Sequence, residues 1–214
     1  MICVVCDGMG GAKAGNVAST TAAKTFIEAL ADQPMTLRDE SLVKDVIADA
    51  AMAANRVVHE MARSSDEYKG MGTTLVGAVI RKGCANVVNV GDSRAYLISG
   101  DELVQITRDH SLVEDMLARG DITKEEAQHH PNRNLLTRVI GTEPRVARDM
   151  FEVKLKKGDR LLFCSDGLTN LVSDEEILQE LQCYKELEKC CEMLVTLALA
   201  KGGSDNVTAL MIQV

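Results

Sequence analysis

Ile2-Cys3-Val4-Val5-Cys6 runs without a break into Asp7-Gly8-Met9-Gly10-Gly11. An apolar, β-branched run of this length is expected as a short buried strand. The strand sets Asp7 at its end. The glycines beyond it let the backbone approach an ion or a phosphate where a Cβ would clash. Two readings satisfy the stretch: a tight strand-to-helix turn with a solvated aspartate, and a loop that holds a cation. A second apolar run meeting Asp166-Gly167 near the far end of the chain repeats the device and favours the cation.

Composition narrows the classes. At 214 residues one domain is expected, long enough to bury a sizeable core. The net charge of −8, with no long Lys/Arg run, argues against a nucleic-acid partner. Aromatic residues are 3 % of the chain and Trp is absent, so no base-stacking platform is expected. No apolar run reaches 18 residues and no signal peptide is legible, so no membrane role and a cytoplasmic location are expected. Seven cysteines, an odd count, then read as reduced thiols. Cys3 and Cys6 resemble half of a zinc or redox pair, but residues three apart on a strand point to opposite faces. No second pair completes such a site.

Working outward, Gly15 to Leu30 carries apolar residues at three- and four-residue spacing and predicts a helix. A longer helix is predicted to about Arg63, with Ser41 as its cap and His59 as a surface or interface residue. Thr73 to Arg81, Cys84 to Val90, Ala95 to Ser99 and Glu102 to Ile106 predict an antiparallel strand series with tight turns. Val139-Ile140 and Asp149 to Leu155 read as extended. Arg160 to Ser165 and Val207 to Val214 read as strands. Ser173-x-x-Glu176 is a capping box ahead of one helix, and Glu186 to Ala200 predicts another. Helices in two groups around two runs of strands predict an α+β layered fold. Met1 opens directly into an apolar strand, which is expected to need neighbours on both sides and so points to a segment upstream.

Residues 108–144 stand apart. They are polar, carry His110, His129 and His130, and hold only short helical patches, among them a capping box at Thr123-x-x-Glu126. A segment of this kind between strands is either functional and mobile or a solvated helical excursion.

Four acidic residues stand at strand ends beside Gly or Ser: Asp7, Asp92, Asp166 and Asp205. Each alone is an ordinary turn former. If they converge, mutual repulsion raises their carboxyl pKa values unless a cation sits between them. Hard oxygen donors without Cys or His select Mg²⁺ or Mn²⁺ over zinc. Two such ions about 3.5–4 Å apart activate a water between them and clamp a phosphoryl oxygen.

Seven motifs carry a resemblance. They are Asp7-Gly8-Met9-Gly10-Gly11, Gly70-Met71-Gly72-Thr73-Thr74, Val90-Gly91-Asp92-Ser93-Arg94, Thr107-Arg108-Asp109-His110-Ser111, Leu136-Thr137-Arg138, Ser165-Asp166-Gly167-Leu168 and Gly203-Ser204-Asp205-Asn206-Val207-Thr208. In this order they resemble the bacterial branch of the metal-dependent type 2C (PPM-type) protein serine/threonine phosphatases. The resemblance covers nearly the whole chain, 1–214, read as a single catalytic domain. It implies a four-layer αββα sandwich, two antiparallel β-sheets flanked by helix pairs, with the N-terminal strands missing. It implies two Mn²⁺ or Mg²⁺ ions, and a third in bacterial members. Asp7 matches the carboxylate shared by the first two ions, and Gly8 the residue giving a backbone carbonyl to the second. Asp166 and Asp205 match the other ligands of the first ion, and Asp92 with Asp166 the third site. Asp7, Asp166 and Asp205 are thereby the expected catalytic set, and residues 108–138 match a flap beside it.

The resemblance also implies phosphoserine and phosphothreonine proteins as substrates, with a cognate Ser/Thr kinase as partner. Family members carry an upstream segment whose Arg contacts the phosphate. Its absence here leads to an expectation of weakened activity, because a bidentate anchor is worth transition-state binding. An open sheet edge is expected to favour self-association. The alternative is an impaired fragment or pseudophosphatase, acting as a metal-binding or partner-binding module.

Overall fold

A computed structural model describes residues 1–34 and 36–214, the side chains of residues 12 and 38 apart. In chain order the strands are β1 (Ile2–Val5), β2 (Gly8–Met9), β3 (Gly72–Thr73), β4 (Leu75–Arg81), β5 (Cys84–Val90), β6 (Arg94–Ser99), β7 (Glu102–Gln105), β8 (Asp149–Lys154), β9 (Arg160–Cys164) and β10 (Ala209–Gln213). The helices are α1 (Ala12–Ala31), α2 (Val43–Ser64), α3 (Leu112–Arg119), α4 (Lys124–Gln128), α5 (Asp166–Thr169), α6 (Asp174–Cys183) and α7 (Leu187–Ala200).

Two antiparallel sheets of four strands form, in the orders β1-β4-β5-β8 and β10-β9-β6-β7. Period-two alternation builds the layers. On β4, Val76, Ala78 and Ile80 point between the sheets, where they meet Val87, Ala95, Leu161 and Phe163. Leu75 and Val79 point the other way, onto Phe26 of α1 and Ile47 and Ala51 of α2. Gly77 faces the same helices, and a Cβ there would lie 2.8 Å from the Phe26 ring. On the far side, Leu162 and Cys164 of β9 pack with Ile177 and Leu181 of α6 and Leu194 and Ala198 of α7. The result is the αββα sandwich.

Both capping boxes form. Thr123 Oγ1 accepts from Glu126 N at 3.2 Å while Glu126 Oε2 accepts from Thr123 N at 2.7 Å. Ser173 and Glu176 do the same at 3.3 and 2.9 Å.

Other local expectations need correction. Helix α1 begins at Ala12, three residues before Gly15, with Gly11 supplying a positive φ of 86° at its entry. Ser41 does not cap α2, which starts at Val43. Its hydroxyl and its amide both donate to Asp39 Oδ1, at 2.7 and 3.0 Å, and this local turn outcompetes the cap. Val139-Ile140, read as extended, pairs through a single antiparallel bridge from Ile140 to Thr73. The β2–β3 ribbon and the one-turn helix α5 are not legible in the sequence. His59 is half-buried, its Nδ1 3.0 Å from the Gly141 carbonyl oxygen.

Residues 108–138 leave the second sheet after β7, form α3 and α4, and are closed at their base by a Ser111–Leu136 bridge. Among the described residues no helix is long and apolar enough to cross a membrane.

Candidate metal centre

Asp7 follows the end of β1 and is held by the strand beside it. Its amide donates to Thr74 Oγ1 at 2.9 Å, and its carbonyl accepts from Thr74 N and from Thr73 Oγ1, both at 2.8 Å. The Thr74 hydroxyl also lies 2.7 Å from Ser93 Oγ, so the loop bearing Asp7 is tied to the loop bearing Asp92. Thr73, Thr74 and Ser93 are buried, and their bonds fix the backbone of half-buried Asp7 while leaving its side chain out of this network.

Asp166 comes from the other sheet, at the first turn of α5. Before it, Ser165 Oγ donates to the Asn206 carbonyl at 3.1 Å and accepts from Thr208 N at 3.0 Å. These bonds draw the Asp205-Asn206 loop alongside. A Cβ on Gly167 would lie 2.3 Å from the Asn206 oxygen, so only glycine permits this approach. Asn170 Nδ2 donates to Asp166 Oδ2 at 2.9 Å and steadies its rotamer. Asp205 is exposed, with Oδ1 accepting from Asn206 N at 2.8 Å.

The carboxyls of Asp7 and Asp166 come within hydrogen-bonding reach of each other across the two sheets. Burial pushes the Asp7 pKa up to about 7, helped by the Asp166 charge, by that hydrogen bond and by the Asp205 charge. Asp166 is raised too, first by burial and then by Asp205, while its bond from Asp7 pulls the other way. Both carboxyls are thus driven toward the protonated form by burial and by the charge of neighbouring carboxylates. Asp92 is pushed up to about 7 by burial, then by Asp166 and Asp109. So Asp7, Asp92, Asp166 and Asp205 are brought within electrostatic reach, and Gly8 sits exposed beside Asp7.

Among the described residues none of the four carboxylates has a Lys, Arg or His ion-pair partner. Nor do three acidic, His or Cys side chains among them stand in one closed ligand cluster. Local N–H groups engage an oxygen of Asp166 and one of Asp205. Crowded carboxylates with no cationic partner, supplied only with oxygen donors, fit a hard divalent ion.

The thiols do not compete for the chemistry. Burial pushes Cys164 up to about 12, and Cys3 and Cys6 likewise. Cys3 packs between the sheets and Cys6 against the α1–α2 layer, on opposite faces.

A cleft of about 890 Å³ runs from Asp92 and Asp166 between α3–α4 and the start of α6, reaching Arg133, Lys124 and Glu175. Thr74, Ser93, Ser165 and Asn170 escape sequence reasoning as site residues. Thr74 and Ser165 are visible inside motifs, but the partners of their hydroxyls lie far away in the chain.

Residues 1–199 match the family model described as Protein phosphatase 2C. A serine/threonine phosphatase stp from Listeria innocua is 39 % identical over 212 residues, covering 99 % of this chain and 84 % of the relative. The crystal structure of serine/threonine phosphatase Stp1 from Staphylococcus aureus superposes with a TM-score of 0.92 at 39 % identity, covering 100 % of this chain and 83 % of that one. The catalytic domain of the serine threonine protein phosphatase PstP, solved in complex with two manganese ions, superposes at 0.84 with 36 % identity, covering 98 % of this chain and 86 % of that one.

Proposed function

The chain belongs to the protein phosphatase 2C family of metal-dependent protein serine/threonine phosphatases, and we propose that it hydrolyses phosphoserine and phosphothreonine in proteins at the Asp7–Asp166 centre. The observation that carries this reading is the meeting of those two half-buried carboxyls, from opposite sheets, with no cationic side chain among the described residues to balance them.

In this reading Asp7, Asp166 and Asp205 would hold the first ion, Asp7 and the Gly8 carbonyl the second, and Asp92 with Asp166 a third. The ions are Mn²⁺ or Mg²⁺, and when bound they supply the positive charge that activates the attacking water and stabilises the phosphoryl oxygens. The chain's own part is positioning. Thr73 and Thr74 fix the Asp7 backbone, Asn170 fixes the Asp166 rotamer, and the cleft beside Asp92 receives the phosphorylated peptide. Residues 108–138 act as a flap along that cleft, and residues 1–214 work as one catalytic domain. Ions held there would compete with protons for Asp7 and Asp166, so their binding would strengthen as pH rises.

The family points to a Ser/Thr kinase as one phosphorylated partner. Seven free cysteines support a reducing, cytoplasmic setting. The outer edges of β1 and β10 have no strand beside them among the described residues, which supports self-association by strand pairing. Size-exclusion chromatography with light scattering checks that last point, and a strict monomer at high concentration rejects it.

The test of function is Mn²⁺-dependent turnover of an aryl phosphate and of a phosphothreonine peptide. Asp166→Asn is expected to lower kcat by at least about 100-fold, because it removes a ligand of the ions that activate the attacking water. Undiminished turnover in that variant refutes the assignment. Mn²⁺ binding without any turnover by the unaltered chain would instead support a metal-binding module.

A further inference from the structure

Asp92 sits between Gly91 and Arg94 on the β5–β6 turn, and the dipeptide Asp109-His110 grips the turn on both sides. Arg94 Nε donates to Asp109 Oδ1 and Oδ2 at 3.0 Å each, and Nη2 donates to Oδ2 at 2.7 Å. Gly91 N donates to His110 Nδ1 at 3.1 Å, and His110 N donates back to the Gly91 carbonyl at 2.9 Å. Buried Asn89 reinforces the join, its Nδ2 donating to the carbonyls of Gly91 and Arg108 at 3.2 and 3.0 Å.

The ring of His110 is 3 % exposed and its tautomer follows from these bonds. Accepting from Gly91 leaves Nδ1 bare, so the proton sits on Nε2. That nitrogen donates toward Asp149 Oδ2 at 3.2 Å. Arg138 Nη1, which donates to Asp149 Oδ1 at 2.7 Å, also lies 3.1 Å from Nε2, and with a proton on each nitrogen no hydrogen bond joins these two. Thr137 N donates to the His110 carbonyl at 2.8 Å. Residues 108–110 open the segment 108–138 and residues 137–138 close it. Both of its roots therefore converge on His110, the closing root through the His110 carbonyl and through Asp149 beside the ring, and the imidazole holds the residue next to Asp92.

We propose that Asp109 and His110 are positioning residues that grip the turn on both sides of Asp92 and tie its carboxylate to both roots of the segment 108–138. The inference rests on the reading that Asp92 holds an ion. The turn cannot shift its carboxylate without breaking the Gly91–His110 pair or the Arg94–Asp109 fork. A displacement of either root is transmitted to the same two contacts. Groups that orient a ligand from behind commonly set metal affinity by about 10–100-fold.

Two isologous substitutions separate this role from simple packing. In His110→Asn the amide oxygen takes the place of Nδ1 and still accepts from Gly91, but the reach to Asp149 is lost. In His110→Gln the side chain reaches toward Asp149 and the Nδ1 acceptor is lost. Mn²⁺ titration calorimetry reads the binding step that Asp92→Asn removes, and hydrogen exchange of the Gly91 amide is followed in the metal-free protein. His110→Gln is expected to weaken that step by about tenfold or more and to speed Gly91 exchange. His110→Asn is expected to keep both close to the unaltered protein. Equal behaviour of the two variants, at any affinity, overturns the proposal. If Asp92→Asn itself changes no Mn²⁺ step, the reading of Asp92 as a ligand fails instead. Should both His110 variants lose the fold, Asp109→Asn weakens the Arg94 fork and makes the same test. Unaltered Mn²⁺ affinity in that variant overturns the proposal.

Discussion

Gly8 packs so closely on Gly15 that a Cβ on Gly8 would lie 1.9 Å from the Gly15 carbonyl oxygen. The first turn of α1 thus rests directly on the loop that carries Asp7. Gly8 is exposed, so its side-chain face looks tolerant from the solvent side, yet the backbone behind it leaves no room. Gly8→Ala is expected to push the loop off α1, costing about 1–3 kcal/mol of stability as overpacking does. Mn²⁺ affinity should fall with it. Chemical denaturation and calorimetry on the same variant check this, and unaltered values in both would show that the contact relaxes freely.

The raised carboxyls make a pH prediction. The Asp7 pKa moves from 3.8 to about 7 on folding, so the folded chain binds this proton more tightly than the unfolded chain. Stability from this group is fully present below about pH 4 and is lost as pH rises toward 7, because ionising Asp7 beside Asp166 becomes unfavourable. Asp92, raised to about 7, adds a loss of the same sign. Metal-stripped protein is expected to show a melting temperature that falls with pH over this window more steeply than Asp7→Asn does. Mn²⁺, which takes the place of the proton, should restore stability most strongly at neutral pH. Parallel pH profiles for the two proteins would contradict the assignment of the shift.

Phe26 of α1 is among the largest fully buried side chains and lies over Gly77 of the first sheet. Phe26→Ala is expected to cost about 3–5 kcal/mol, since the glycine below it cannot fill the void. Urea unfolding measures the loss. Gly77→Ala should also destabilise, by crowding the same ring.

The cysteines supply a negative control. Cys164 is fully buried with a thiol pushed up to about 12, whereas Cys183 is exposed. Iodoacetamide at neutral pH is expected to label Cys183 first and to leave Mn²⁺-dependent turnover intact. Loss of turnover in step with modification of Cys164 would point to thiol chemistry.

Much of this molecule is readable residue by residue. The strand Cys84–Val90 emerges at its predicted limits because its apolar run and the Lys82-Gly83 turn are local signals. The two capping boxes form because each closes within three residues. Where two local hydrogen-bonding solutions compete, as at Ser41 and Asp39, pattern alone misassigns the helix start.

The four acidic residues stood out by their setting at strand ends beside small residues, and the motif order pointed to the family. Which of them meet was settled by tertiary structure. Asp7 and Asp166 touch because β1 pairs with β4, β10 pairs with β9, and the two sheets stack face to face. The grip of Thr74 on Asp7 and of His110 on Gly91 belongs to the same class. Local sequence determined the strands, turns and caps, because those depend on backbone preference and on bonds a few residues long. The pairing of distant carboxyls and the bonds that hold them depend on how whole layers pack, and no short stretch encodes that by itself.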